Sequence, residues 1–261
     1  MHVDSSRLLV IAGPCLVESR DLVRTVADHL LTITRDLPVQ LVFKGSYRKA
    51  NRTSSGSFQG IGDEQALSYL AEVGRDFGLP VLTDIHADAE AAHAAEYVDV
   101  LQIPAFLSRQ TSLLEAAAAT GKTVNIKKAQ FMAPDDMAKA AAKVVAAGND
   151  SVWLTERGTS FGYHDLVVDF RGLVTMKATG FPVIFDATHS VQQPSAGAQS
   201  GGRPEFIPAL ARAAAAVGVD GLFFETHPDP ANAKSDAATQ LPLERSGDFL
   251  RSVLAHWSIG R

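Results

Sequence analysis

A single cysteine, Cys15, stands in 261 residues, so no intrachain disulfide can form and nothing points to an oxidising compartment. No apolar stretch approaches the ~20 residues that a membrane span requires. The opening MHVDSSRLLVIAGP lacks a basic leader and its apolar run is too short for a signal peptide, so a soluble, cytoplasmic chain is expected. An excess of positive charge is also missing. With 24 Lys and Arg against 29 Asp and Glu, a net charge of −5 argues against nucleic acid or an anionic membrane as partner. No GxGxxG follows the first apolar run, which disfavours an open dinucleotide-binding sheet. Nor does a linker or low-complexity segment break the chain, so one domain over residues 1–261 is expected.

What is present is a rhythm. Short β-branched, apolar runs recur at 8–14, 39–46, 80–86, 98–105, 123–130, 151–158, 182–190 and 219–228, each beginning apolar and ending polar or charged. Strands buried along their length that open into a site read this way. Helical patterns lie between them. After Ser19, a candidate N-cap, Leu22, Val26, Leu30 and Ile33 share one face. Ala66, Leu70, Val73 and Phe77 repeat the pattern and end at Gly78, and an alanine-rich run over 135–147 follows Pro134 and stops at Gly148. Further helices are expected over 88–96, 109–120, 165–178, 205–217 and 244–257. Strands alternating with helices in this number predict a single (β/α)₈ barrel.

A barrel of this kind places its chemistry at the C-terminal ends of its strands. Those ends carry Cys15, Lys44, Asp84, Gln102, Lys127, Arg157, His189 and Glu225. The segment FKGSYRKANRTSSGS (43–57) adds Lys49, Arg48 and Arg52 and contains no acid, an unusual concentration of cations in an acidic chain. Lys127, Lys128, Arg157 and Arg109 lie at strand ends or in loops on the same rim. Convergence of so many cations predicts a bound anion, a phosphate or a carboxylate.

Cys15, His189, Glu225 and Asp236 come together if the first, seventh and eighth strands are neighbours, and thiolate, imidazole and carboxylate suit a divalent metal such as Zn, Fe or Mn. Each residue alone has a plainer reading, a small buried hydrophobe for the cysteine and a hydrogen-bonded core histidine. A nucleophilic Cys15 with His189 as base, or a Schiff base on Lys127 or Lys128, are alternatives that residue type leaves open. The glycine-rich SAGAQSGGRPEF (195–206) offers backbone N–H groups, with Ser200 and Arg203, to a phosphate, or is simply a surface loop.

Taken together, IAGPCLVES (11–19), FKGSYRKANRTS (43–54), LTDIH (82–86), LQIPAFLSRQT (101–111), VNIKKAQF (124–131), LTERGTSFGY (154–163), IFDATHSVQQP (184–194) and FETHPDPANAKSDAATQLPL (224–243) resemble the Kdo-8-phosphate synthase family. The resemblance implies condensation of phosphoenolpyruvate with D-arabinose 5-phosphate and release of phosphate, on a homotetramer. By similarity, Lys44, Ser46, Lys49, Gln102, Lys127 and Arg157 would bind phosphoenolpyruvate. Asn51 and Arg52 would contact the aldose phosphate, with Ser200 and a neighbouring subunit's Arg109 at its phosphate. The resemblance also makes Lys49, His189 and Asp236 candidate catalytic residues. Cysteine after IAGP matches the family's metal-dependent class, with Cys15, His189, Glu225 and Asp236 as ligands. Two departures stand out: Arg48 replaces an acidic or neutral residue, and FKGS replaces FKAS. Related synthases that use erythrose 4-phosphate read KPR where this chain reads KANR; those enzymes, a relative using another aldose phosphate and a non-catalytic binding barrel are the competing readings.

Overall fold

The computed structural model describes residues 1–50, 58–194 and 201–260. Eight parallel strands succeed one another: β1 Leu8–Gly13, β2 Val39–Lys44, β3 Val81–Asp84, β4 Val100–Ile103, β5 Thr123–Lys127, β6 Val152–Glu156, β7 Val183–Asp186 and β8 Gly221–His227. Each pairs with the next, and β8 returns to β1 with Leu9 opposite Gly221 and Gly13 opposite Glu225, closing the barrel. Closure leaves these strands without an edge, which is what lets runs such as LLVIAG be buried on both faces.

The helices follow local signals in the sequence. In α1 (Arg20–Thr34) the Ser19 hydroxyl accepts the Leu22 N–H at 3.2 Å, satisfying one of the free first-turn donors. α2 (Asp63–Phe77) ends on Gly78 at φ 66°, a left-handed cap that glycine adopts without strain. The remaining helices are α3 (Ala91–Ala94), α4 (Thr111–Ala119), α5 (Met137–Ala146), α6 (Phe170–Lys177), α7 (Ile207–Val217) and α8 (Ser246–Trp257). Two expectations are corrected. The helix predicted over 88–96 is a 3₁₀ turn, Asp88–Glu90, followed by a single α turn. The one predicted over 165–178 begins only at Phe170, where Asp169 caps it by accepting the Arg171 N–H, because Thr159–Ser160 and Leu166–Val167 pair as an antiparallel hairpin. No helix among the described residues is long and apolar enough to cross a membrane.

Two apolar clusters result. The larger lies between strands and helices and joins Val10, Phe43, Leu101 and Val124 to helix residues such as Leu30, Leu70, Val144 and Leu250. The smaller fills the barrel with Leu9, Ile11, Val42, Leu82, Val100, Trp153, Ile184 and Phe223. Removing such a side chain from water contributes about 1.5–3 kcal/mol each, so both clusters hold the frame on which the site is mounted. One glycine sets the frame at the site itself. A Cβ on Gly13 would stand 1.9 Å from the Lys44 carbonyl oxygen, so only glycine lets the end of β1 pass β2 there.

Candidate active site

Side chains alternate along a strand, so the residue two beyond the last inward apolar one also points into the barrel. Val42 is followed in this way by Lys44, Leu82 by Asp84, Val100 by Gln102, Ile184 by Asp186 and Phe223 by Glu225. A cavity of about 470 Å³ opens above them. It is lined by Lys44, Lys49, Asp84, His86, Gln102, Lys127, Arg157, His189, Gln192, Glu225, Ser235 and Asp236, among others. The structure thus gathers most of the residues singled out in the sequence.

At one wall, Cys15, Glu225 and Asp236 each place a donor atom within 4.8 Å of the others. The Cys15 thiol donates to Asp236 Oδ2 at 3.0 Å, and His189 Nε2 lies 3.9 Å from a carboxylate oxygen of both Glu225 and Asp236. Burial, reinforced by those two carboxylates, pushes the Cys15 thiol well above its ordinary pKa. Glu225 Oε2 is buried with no hydrogen-bond partner among the described residues. A soft sulfur and two carboxylates with an orphaned buried oxygen suit a divalent cation, whose charge would also favour the thiolate; the His189 imidazole, the fourth ligand expected from sequence, stands outside this group of three. Asp236 sits at φ 47°, a left-handed conformation that aspartate tolerates better than most residues and that recurs at functional sites. Its carboxyl is held down to about 2: burial raises it, and Lys49 and His189 more than reverse that.

The cations are paired across strands. Lys44 Nζ lies 2.5 Å from Glu225 Oε1 and donates to the Cys15 carbonyl at 3.0 Å. Burial would lower the Lys44 pKa, yet Glu225 more than compensates and raises it. Lys127 Nζ stands 2.8 Å from Asp186 Oδ2 and 4.0 Å from the centre of the Phe223 ring. Lys49 reaches to 3.7 Å from Asp236. Residues 43–49 therefore lack acids in sequence but not in space. Arg157 is the exception: it is 4% exposed, Nη2 donates to Gln192 at 3.1 Å, and Nη1 is buried with no partner among the described residues. A buried guanidinium with an unused donor is costly unless an anion completes it.

A chain of amides and hydroxyls underlies the cavity. Ser46 and Gln102 both donate to Asp84, Asn125 donates to Gln102 at 2.9 Å, and Thr155 donates to Asn125 at 2.7 Å. This fixes the Gln102 amide. Ser46 reaches the site through Asp84 and does not line the cavity.

Other expected residues lie elsewhere. Lys128, grouped with the rim cations, turns away from the cavity. It is fully buried, 3.4 Å from Glu156, and donates to Thr159 Oγ1 at 3.0 Å and to the Met132 carbonyl at 3.3 Å. Strand alternation is the reason: Lys127 takes the inward position, so Lys128 takes the outward one. Arg109 lies outside its own chain's cavity, beside a separate pocket of about 340 Å³ with Phe131, Lys139 and Lys143. Asn51, Arg52 and Ser200 fall outside the described residues. Asp186, His86, Gln192 and Ser235 received no role from sequence. Asp186 lies 2.9 Å from His189 Nδ1, orienting the ring so that Nε2 faces the Glu225 and Asp236 carboxylates. The IFDATH motif carried its signal, an acid at the last inward position of β7.

Fold and site together define a (β/α)₈-barrel protein with a cationic, metal-competent mouth. The chain belongs to the DAHP synthetase I family, whose sequence model matches residues 2–256. It is 56% identical over 250 residues to a 2-dehydro-3-deoxyphosphooctonate aldolase of Bradyrhizobium sp. (strain ORS 278), covering 95% of this chain and 87% of that one. Proteins of the same name from Rhizobium meliloti (strain 1021) and Syntrophotalea carbinolica are each 53% identical, over 98% and 94% of this chain and 91% and 89% of theirs.

Proposed function

We propose that the chain condenses phosphoenolpyruvate with D-arabinose 5-phosphate and water, giving 3-deoxy-D-manno-octulosonate 8-phosphate and inorganic phosphate. The near full-length similarity to proteins named for this product supports the reading. The observation that carries it is Arg157, buried with a donor that no described residue accepts, in a cavity also lined by Lys44, Lys49 and Lys127. Phosphoenolpyruvate brings a phosphate and a carboxylate, and the arginine fork with the lysine charges would hold both. Gln102, locked by Asp84 and Asn125, would set the plane of the enol. The C3 carbon of the enol then bonds to the aldehyde carbon, whose oxygen takes a proton, while water adds at C2 and gives up one. Cleavage of the C2–O bond releases phosphate and leaves the ketone. Lys49 and Asp236, 3.7 Å apart at the same wall, would move those protons.

Cys15, His189, Glu225 and Asp236 would hold a divalent ion, Zn, Fe or Mn, which when bound supplies electrophilic polarisation of an oxygen. Arg109, away from its own cavity, would serve a neighbour's site in a homotetramer. Asn51, Arg52 and Ser200 are assigned to the aldose phosphate, and the enzyme to the cytoplasm.

The test is phosphate release from phosphoenolpyruvate across a panel of aldose phosphates, with and without added divalent ions. Arabinose 5-phosphate is expected to give the highest kcat/KM; a preference for erythrose 4-phosphate would replace the assignment. For the ion, full turnover by chelator-stripped Cys15→Ala protein would remove it from the reaction.

A further inference from the structure

Of the three described cations in residues 43–50, Lys44 and Lys49 line the cavity and Arg48 does not. Arg48 instead reaches two carboxylates on other elements. Its Nη1 donates to Asp63 Oδ2 at 2.9 Å, at the first residue of α2, and its Nη2 donates to Glu90 Oε1 in the turn after β3. Glu90 is the hub of this arrangement. Its Oε2 accepts the Tyr47 hydroxyl at 2.6 Å and the His86 backbone N–H at 2.8 Å. The Arg48 guanidinium lies 5.4 Å from the centre of the Tyr47 ring, which meets the His86 ring edge-on at 6.2 Å. Burial raises the Glu90 carboxyl, and hydrogen bonds from His86 and Tyr47 with the charge of Arg48 overcome it, holding it at about 2. The hub is therefore ionised at neutral pH.

The consequence falls on the next residue. The Lys49 N–H donates to the Gln59 carbonyl at 2.9 Å, and its ammonium enters the cavity beside Asp236. Two consecutive side chains, Tyr47 and Arg48, are thus anchored outside the cavity while the third is delivered into it. A lysine stem has four rotatable bonds, so where its charge stands depends on how firmly its backbone is held.

We propose that Arg48, Glu90 and Tyr47 form a latch that fixes Lys49 in the cavity, making Arg48 and Glu90 positioning residues for anion binding. This rests on the reading that Lys49 contacts phosphoenolpyruvate. Arg48 and Glu90 touch no substrate in it. They act by holding the backbone from which Lys49 reaches.

Arg48→Ala, Glu90→Gln and the double variant test the latch by two readouts. In phosphate-release kinetics each single change is expected to raise the KM for phosphoenolpyruvate roughly three- to tenfold and to lower kcat as well, since Lys49 also moves protons, and the double to be no worse than the worse single, because both break one coupled unit. Amide hydrogen exchange at Lys49 is expected to accelerate roughly tenfold in all three, since its bond to Gln59 loses support. Arg48→Lys, which keeps charge but not the fork, should fall between. Unchanged Lys49 exchange, additive KM effects, or a lowered unfolding temperature with wild-type KM would each overturn the latch. Should the unaltered protein release no phosphate with any acceptor, the proposed reaction fails, and Lys49 exchange alone still decides the latch.

Discussion

The lower and upper halves of the barrel interior share five strands, β2, β3, β4, β7 and β8, whose residues two apart do opposite work. Below, Leu9, Ile11, Val42, Leu82, Val100, Trp153, Ile184 and Phe223 pack on one another without charge. Above, Lys44, Asp84, Gln102, Lys127, Asp186 and Glu225 are also buried, yet all are polar or ionised. The lower layer stabilises by removing apolar area from water. The upper layer offsets its own desolvation through pairs such as Lys44–Glu225 and Lys127–Asp186, and leaves Arg157 Nη1 and Glu225 Oε2 without a partner among the described residues. The lesson is that the two tasks are separated by height in the barrel, so mutations should separate them too.

The sharpest break should come from Arg157→Ala. Turnover is expected to fall about 10²–10³-fold, the usual cost of losing a preorganised charge partner. Urea unfolding should show no loss of stability, because the removed group is a buried cation with a donor that no described residue accepts. A large loss of stability with normal KM would place Arg157 in the frame instead. In the lower layer, Ile184→Ala should do the reverse and cost about 2–5 kcal/mol of stability. The folded fraction should retain the unaltered KM, measured by steady-state kinetics at low temperature. A shifted KM would mean the two layers are mechanically coupled.

Acid titration probes the upper layer alone. Burial pushes the Asp84 carboxyl up, and Lys44 and Lys49 more than reverse that, holding it well below the usual range. A carboxyl depressed in the folded state contributes stability that is present above its unfolded pKa, ~4, and is lost as pH falls below that value. The protein should therefore lose more stability between pH 5 and pH 3 than Asp84→Asn does, as read by denaturant midpoints at each pH; equal losses would remove Asp84 from the linkage. The smallest effect is expected at Gly45→Ala, the FKGS departure. A Cβ there would stand 2.9 Å from Leu70 Cδ2 and 3.1 Å from Val17 Cγ2, the ends of side chains that can shift. A cost of about 1 kcal/mol, near the low end for overpacking, is expected in thermal unfolding, with turnover unchanged.

How far the sequence could be read is clearest at neighbouring residues. Lys127 and Lys128 carry the same charge and stand side by side, and residue type alone puts both at the rim. Only the first faces the cavity, a difference already implied by the inward Asn125 two positions earlier. Lys49 and Arg48 differ in the same way, but nothing local announces it. Arg48 turns outward because Glu90 and Asp63 lie across a loop and a helix start, a long way along the chain. Asp186 went without a role because its partners, Lys127 and His189, come from different strands or follow a turn. Arg109 could be named but not located, and the structure puts it beside another pocket.

By itself the sequence determined the strand and helix order, the barrel and the identities of the ionisable groups at the strand tips. Burial pattern and capping act over a few residues and are written locally. Tertiary structure alone decided which charges neutralise one another and which are left unpaired. Coulomb energy depends on separation in space, and closing β8 onto β1 sets Cys15 beside Asp236, 221 positions apart.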